Sequence, residues 1–230
     1  MSKSYDEINN GYWLRRTKRD GIPADCRLAY NRCLNWLTSH NKQLIEKMLP
    51  PTGCALTLPV ELTHIENYLT GFTIDYRPFY RPSASDEPEG FHKRDAFDPA
   101  HITIHFNQNA PVARQQFTKA HELFHVLQLC DPKCLDFFDA LVEDTSLPPS
   151  VIMKLIERGA DKATAMYLMP TEYFYKRYWA IKETGDEFGS EQLQDLANQF
   201  GVSVETAKYR LQEIGQCITP KQLSPMSIDF

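Results

Sequence analysis

The stretch His121-Glu122-Leu123-Phe124-His125 constrains this chain more than any other, because its chemistry depends on being helical. On an α-helix, residues four apart share a face, so both imidazoles can reach one metal ion. Glu122 then points toward the same cavity without being needed as a ligand, which leaves it available as a base. The surroundings favour a helix over Pro111–Cys130. Asn109 is placed to cap its start, Pro111 fits the first turn, and Pro132 lies just beyond its end. Val112, Ala113, Phe117, Ala120, Phe124 and Leu127 recur at spacings of mostly three and four, the pattern of a core-facing helix. The bland alternative is a surface helix whose two histidines are incidental.

The rest of the composition is that of an ordinary globular chain with one or two cores. A net charge of −5 gives no global electrostatic case for nucleic acid. No run of about 18 apolar residues occurs, so no membrane span is expected. The first twenty residues are polar and lack the apolar block of a secretory signal, which predicts a cytoplasmic protein. Cys26, Cys33, Cys54, Cys130, Cys134 and Cys217 then read as reduced thiols, and no close Cys/His pair completes a four-ligand set with Cys130 and Cys134.

Read in order, the chain opens on a basic run, Arg15-Arg16-Thr17-Lys18-Arg19, taken as a solvated arm. A helix is predicted from Ala24 to Leu49, with Cys26, Ala29, Cys33, Trp36, Leu37, Leu44 and Met48 as its apolar stripe. A shorter helix over Pro59–Leu69 and a strand over Phe72–Tyr76 follow. Residues 78–100, with four prolines and the acidic patch Asp86, Glu87 and Glu89, read as a long loop. His101–Asn107 reads as a strand with Ile102, Ile104 and Phe106 inward and His101, Thr103 and His105 outward. Residues 131–149 stay open between helix and loop. Beyond them, helices are predicted up to Met169, over Glu172–Lys182, and as a short pair, Ser190–Phe200 and Val204–Ile214, closed by Gly215.

A catalytic zinc takes three protein ligands and keeps a position for water. Glu157, 32 residues beyond His125, is a candidate for the third, with Asp161 one turn later. An acid at that spacing can hydrogen-bond the free ring nitrogen of a ligating histidine and fix its tautomer. The alternative is a surface ion-pairing face shared with Lys154, Arg158 and Lys162.

Three blocks of the chain resemble the ImmA/IrrE family of metallo-endopeptidases. Gln116–His125 is similar to the family's RFTxAHELGH signature, with Gln116 at the usual arginine and Phe124 at the usual glycine. Glu157–Pro170 resembles its second block, E-x-x-A-[ND]-…-LMP, with Gly159 where a second glutamate is frequent. Leu196–Ser203 and Arg210–Gly215 resemble its C-terminal LAxxFGVS…RLxxLG segment. Together they span roughly residues 56–217. The resemblance implies an α+β fold: a small zincin-like metallopeptidase domain, a few-stranded sheet packed by helices, one of which carries the HExxH motif. It implies one Zn²⁺ per chain held by His121, His125 and Glu157, with Glu122 as the catalytic base. Shorter members, many from phage or other mobile elements, cleave a helix-turn-helix repressor protein and so release transcription. At 230 residues the chain is expected to lack the extra sensor domain of longer radiation-response members.

The domains expected are an arm and helix over 1–55, the metallopeptidase domain over 56–185, a helix-turn-helix-like segment over 186–217 and a tail over 218–230. Substrate backbone is expected along the strand of Ile102, Ile104 and Phe106 by β-augmentation. Tyr80, Tyr167 and Tyr178 are candidates for an electrophilic helper. Residues 190–230 carry three basic and five acidic side chains, which argues against direct nucleic-acid binding. Their apolar side chains, Leu193, Leu196, Ala197, Phe200, Val202, Ala207 and Leu211, are more than two short helices can bury, so they should dock on the preceding domain or on a partner. A non-cleaving, metal-stabilised antirepressor and a DNA-binding regulator are the rival functions. Intact Glu122 speaks against the first and the acidic balance against the second.

Overall fold

The computed structural model describes residues 22–51, 55–82, 88–143, 147–182 and 189–217. The basic run, Asp86, Glu87 and the tail from 218 lie outside them. In chain order come α1 (Arg27–Met48), α2 (Thr63–Tyr68), β1 (Thr73–Phe79), β2 (Gly90–Arg94) and β3 (His101–Asn107). There follow α3 (Val112–Cys130), α4 (Pro132–Glu143), α5 (Pro149–Leu168), α6 (Thr171–Lys182), α7 (Ser190–Gln199) and α8 (Val204–Cys217). The fold is α+β, a three-stranded sheet with helices packed on it. No helix among the described residues is long and apolar enough to cross a membrane.

The sheet order is β1-β3-β2, with β1 parallel and β2 antiparallel to β3. β3 follows the alternation expected: Ile102, Ile104 and Phe106 are buried, and His101, Thr103 and His105 are half-buried on the other face. Outside, His101 Nε2 lies 2.8 Å from Asp75 Oδ2, and the His105 ring stacks on Phe91 at 4.5 Å. The sheet corrects two expectations. β2 falls within what reads as loop, because Gly90-Phe91-His92-Lys93-Arg94 has a single apolar residue and no alternation; its order comes from pairing with β3. β3, in turn, is the middle strand and its backbone is paired on both sides. Ile102, Ile104 and Phe106, 2%, 0% and 8% exposed, are core residues and cannot receive a substrate strand.

α3 starts one residue later than the sequence suggests. Pro111 is its N-cap with extended ψ, and the Pro111 carbonyl takes the N–H groups of Arg114 and Gln115. Asn109 does not cap it; its N–H bonds to the Asn107 side chain in the turn after β3. Val112 is 82% exposed, so the core stripe begins further along the helix.

Two cores flank the motif helix. The larger joins Leu44 and Met48 of α1, Ile102 and Ile104 of β3, Leu123, Phe124 and Leu127 of α3, and Tyr167 and Leu168 of α5. The smaller joins Leu37 of α1 and Phe138 of α4 with Val151, Ile152 and Leu155 of α5. α1 crosses α5 at Gly159, where a β-carbon would run into the Leu37 side chain. That close crossing explains a glycine in mid-helix, which otherwise costs about 1 kcal/mol relative to alanine.

The last two helices dock on the preceding domain, as their apolar residues require. Leu196, Ala197, Phe200, Val202, Ala207 and Ile214 join the larger core, and Phe200 meets Phe174 of α6 edge-on at 5.1 Å. Buried Arg210 donates to the Met169 carbonyl at the end of α5 and to the Thr171 hydroxyl at the start of α6. Glu213 takes an ion pair from Lys162 of α5 at 2.9 Å.

Candidate metal centre

The site forms where α3 and α5 face one another. Ala120, Leu123, Phe124 and Leu127 anchor α3 in the core and so orient His121 and His125 toward α5. Their Nε2 atoms lie 2.9 Å apart. The Glu157 carboxylate meets both, Oε2 at 3.4 Å from His121 Nε2 and Oε1 at 3.5 Å from His125 Nε2. The histidines are nearly buried and Glu157 is half exposed, so the cluster opens to solvent on the α5 side.

Several observations fit a metal ion here. Ligands about 2.0–2.1 Å from a tetrahedral zinc stand about 3.3 Å apart, close to the three separations just given. His121 Nδ1 lies 3.2 Å from Asp161 Oδ1, and an ionised carboxylate only accepts, so Nδ1 carries hydrogen and Nε2 can present its lone pair to a cation. The electrostatics also call for positive charge. Burial disfavours the His121 cation, but hydrogen bonds to Asp161 and Glu157 overcome it and raise its pKa well above the ordinary value. Burial, with the charge of His121, pushes His125 down to about 4 against the pull of Glu157. The pocket thus favours a single positive charge between the two imidazoles, the kind of charge a metal cation would bring.

Glu122 lies inside this wall, 4% exposed. Its Oε2 is 3.0 Å from Nδ1 of His92 on β2. Burial alone would raise its pKa, but the His92 hydrogen bond and the charges of His121, His125 and His92 outweigh it, and the carboxyl is held ionised below its usual range. His92 is the residue that sequence reasoning missed. It lay in the apparent loop, and the only signal was a Gly-Phe-His run ahead of the Asp95–Pro99 turn.

Of the other expected residues, Asp161 joins the cluster through His121, while Ile102, Ile104 and Phe106 do not. Tyr80 is 68% exposed on its loop, and the Tyr167 hydroxyl donates to the Glu61 backbone carbonyl inside the core. Tyr178 packs edge-on against Trp179. Phe124, at the family's glycine position, meets Tyr167 edge-on at 5.9 Å and is 0% exposed, so it fills core and not cleft. A second group, His40, Asp131 and Cys134, also has its ligand atoms within 4.8 Å. There Asp131 caps α4, taking the Cys134 N–H and His40 Nε2, each at 2.9 Å. Burial and the Asp131 charge push the Cys134 thiol strongly up, so it stays protonated within a helix cap.

The family profile of the IrrE N-terminal-like domain matches residues 85–212. Two curated relatives are radiation response metalloproteases, both called IrrE. That of Deinococcus radiodurans is 35% identical over 121 residues, 51% of this chain and 33% of that protein. That of Deinococcus deserti is 31% identical over 158 residues, 68% of this chain and 48% of that protein. The chain therefore spans a third to about half the length of these relatives. Among solved structures, a Mycobacterium tuberculosis transcriptional regulator superposes with a TM-score of 0.50 at 15% identity, covering 82% of this chain and 50% of that one, a likeness of fold alone.

Proposed function

Because the chain belongs to the family of IrrE N-terminal-like domains, we propose that it is a zinc-dependent endopeptidase acting on a protein, with a small helix-turn-helix repressor as its substrate. The observation that carries this reading is the convergence of His121 Nε2, His125 Nε2 and the Glu157 carboxylate beside a buried Glu122. A scaffold that only bound metal would have no use for the fourth residue.

His121, His125 and Glu157 would hold the ion, and Asp161 fixes the ring of His121. When bound, zinc polarises the scissile carbonyl and makes water a nucleophile at neutral pH. Glu122 accepts the proton of the attacking water and then delivers it to the leaving amine. The outer strand beside these residues is β2, which supports seating substrate backbone along β2 rather than β3. Cleaving a repressor would release transcription and place the protein in phage, mobile-element or stress regulation in the cytoplasm. Nothing in this reading asks the C-terminal helices to touch DNA. Arg210, one of the two basic residues of α8, is spent on the Met169 carbonyl.

The test co-expresses the full chain, or its Glu122→Gln variant, with candidate helix-turn-helix repressors, and measures zinc in the purified proteins. Wild-type zinc near one per chain, with cleavage lost only in the variant, is the expected result. Equal cleavage by both proteins would remove Glu122 from the chemistry. Cleavage that persists in fully chelated protein would sink the zinc reading.

A further inference from the structure

His92 stands on a strand that the motif helix approaches unusually closely. Gly90, two residues earlier on the same face of β2, is buried against α3. A β-carbon there would meet the Thr118 side chain and come within 2.8 Å of the His105 carbonyl oxygen. With glycine at that point β2 can lie against α3, and His92, 7% exposed, reaches Glu122 at 3.0 Å. The start of the strand is tied down independently. Glu89 takes hydrogen bonds from Arg81 at 2.7 Å and from the Asn107 side chain at 3.0 Å. The ring of Phe91 lies flat on His105. An ionised carboxylate has no proton to give, so Nδ1 of His92 is the donor.

We propose that His92 is a positioning residue for Glu122: its Nδ1–H engages Oε2 from β2 and turns Oε1 toward the attacking water. A glutamate on a helix otherwise has three rotatable bonds to order before it can take a proton. The hydrogen bond orders them in advance, and it does so from the strand along which substrate is placed. Substrate seating and base orientation thus share one short segment, Gly90–Arg94. This role rests on Glu122 being the base, as argued above.

The tautomer can be read without any turnover. Full-length, zinc-loaded protein labelled with ¹⁵N-histidine should show His92 protonated at Nδ1 in long-range ¹H–¹⁵N spectra, with that signal shifted in Glu122→Gln. A His92 ring protonated only at Nε2 overturns the proposal. Activity is read on the fastest-cleaved peptide of a proteome-derived peptide library, with zinc content and thermal midpoint measured for each variant. The amide nitrogen of asparagine falls near Nδ1 of histidine, whereas that of glutamine reaches toward Nε2. His92→Asn should therefore keep most of kcat, while His92→Gln and His92→Leu lose it by about 10–100-fold with KM and zinc content little changed. Equal kcat in wild type and His92→Leu overturns the positioning role alone. A zinc-loaded wild type that cleaves neither library peptides nor candidate repressors overturns the peptidase reading, and the positioning role with it.

Discussion

Asp161 Oδ1 stands 3.2 Å from Nδ1 of His121, on the opposite side of the ring from the nitrogen that faces Glu157 and His125. One turn of α5 thus supplies both a carboxylate that faces the two histidines and a carboxylate that sets the tautomer of one of them. They stand four positions apart, the spacing that puts two side chains on one helix face.

Removing the outer carboxylate should weaken metal binding without abolishing it. Asp161→Ala is expected to lower zinc affinity by roughly 10–100-fold, read by competition with a chromogenic chelator. Glu157→Ala should fail to retain zinc through purification. Full occupancy in Glu157→Ala would exclude that residue as a ligand.

Glu122→Gln keeps shape and removes the proton acceptor. Turnover should fall by about 10²–10⁴-fold with zinc content unchanged and the thermal midpoint near that of wild type. A large loss of stability would show that the carboxylate serves the fold instead.

The crossing of α1 and α5 should tolerate no side chain at Gly159. Gly159→Ala is expected to destabilise the protein by about 1–3 kcal/mol, because Leu37 must move within a packed core. Adding Leu37→Ala should recover part of that loss, giving a non-additive double-mutant cycle in denaturant titrations. Simple additivity would mean the two helices separate freely.

Docking of the C-terminal helices should weaken in acid. Burial raises the Glu213 pKa, but Lys162 and Arg210 outweigh it, and the folded value lies below the ordinary 4.5. A depressed carboxylate pKa contributes stability above the unfolded value and loses it as pH falls through the folded one. Stability should therefore decline below about pH 4.5 with a slope that Glu213→Gln reduces. An identical acid limb in the variant would remove this pair from the account.

Much of the site could be read from one dimension because it is built on helices. The spacing of His121 and His125, and of Glu157 and Asp161, is set by the helical repeat, so each pair shares a face wherever the helix goes. The core faces of α3 and of β3 were legible for the same reason, as apolar residues recurring with the period of their element. Val112 escaped the pattern because it sits at a helix end where no neighbour packs on it. β2 escaped because its ordering is non-local. Its hydrogen bonds come from residues on β3, and its own side chains are chosen for a contact with α3 and not for alternation.

What the amino-acid sequence determined by itself is therefore the local arrangement: two histidines on one helix face with a glutamate between them, an acidic pair one turn apart, and enough apolar surface in α7 and α8 to require docking. Tertiary structure alone decided that these pairs meet, since the 3.4 Å approach of Glu157 to His121 depends on how α5 packs against α3. It also decided that β3 lies in the middle of the sheet and is closed to substrate, and that a histidine from an unpatterned strand reaches Glu122. The physical reason is the range of the forces involved. Helical periodicity acts within a few residues, whereas strand order and helix crossings follow from burying surfaces far apart in the chain, and no short pattern encodes them.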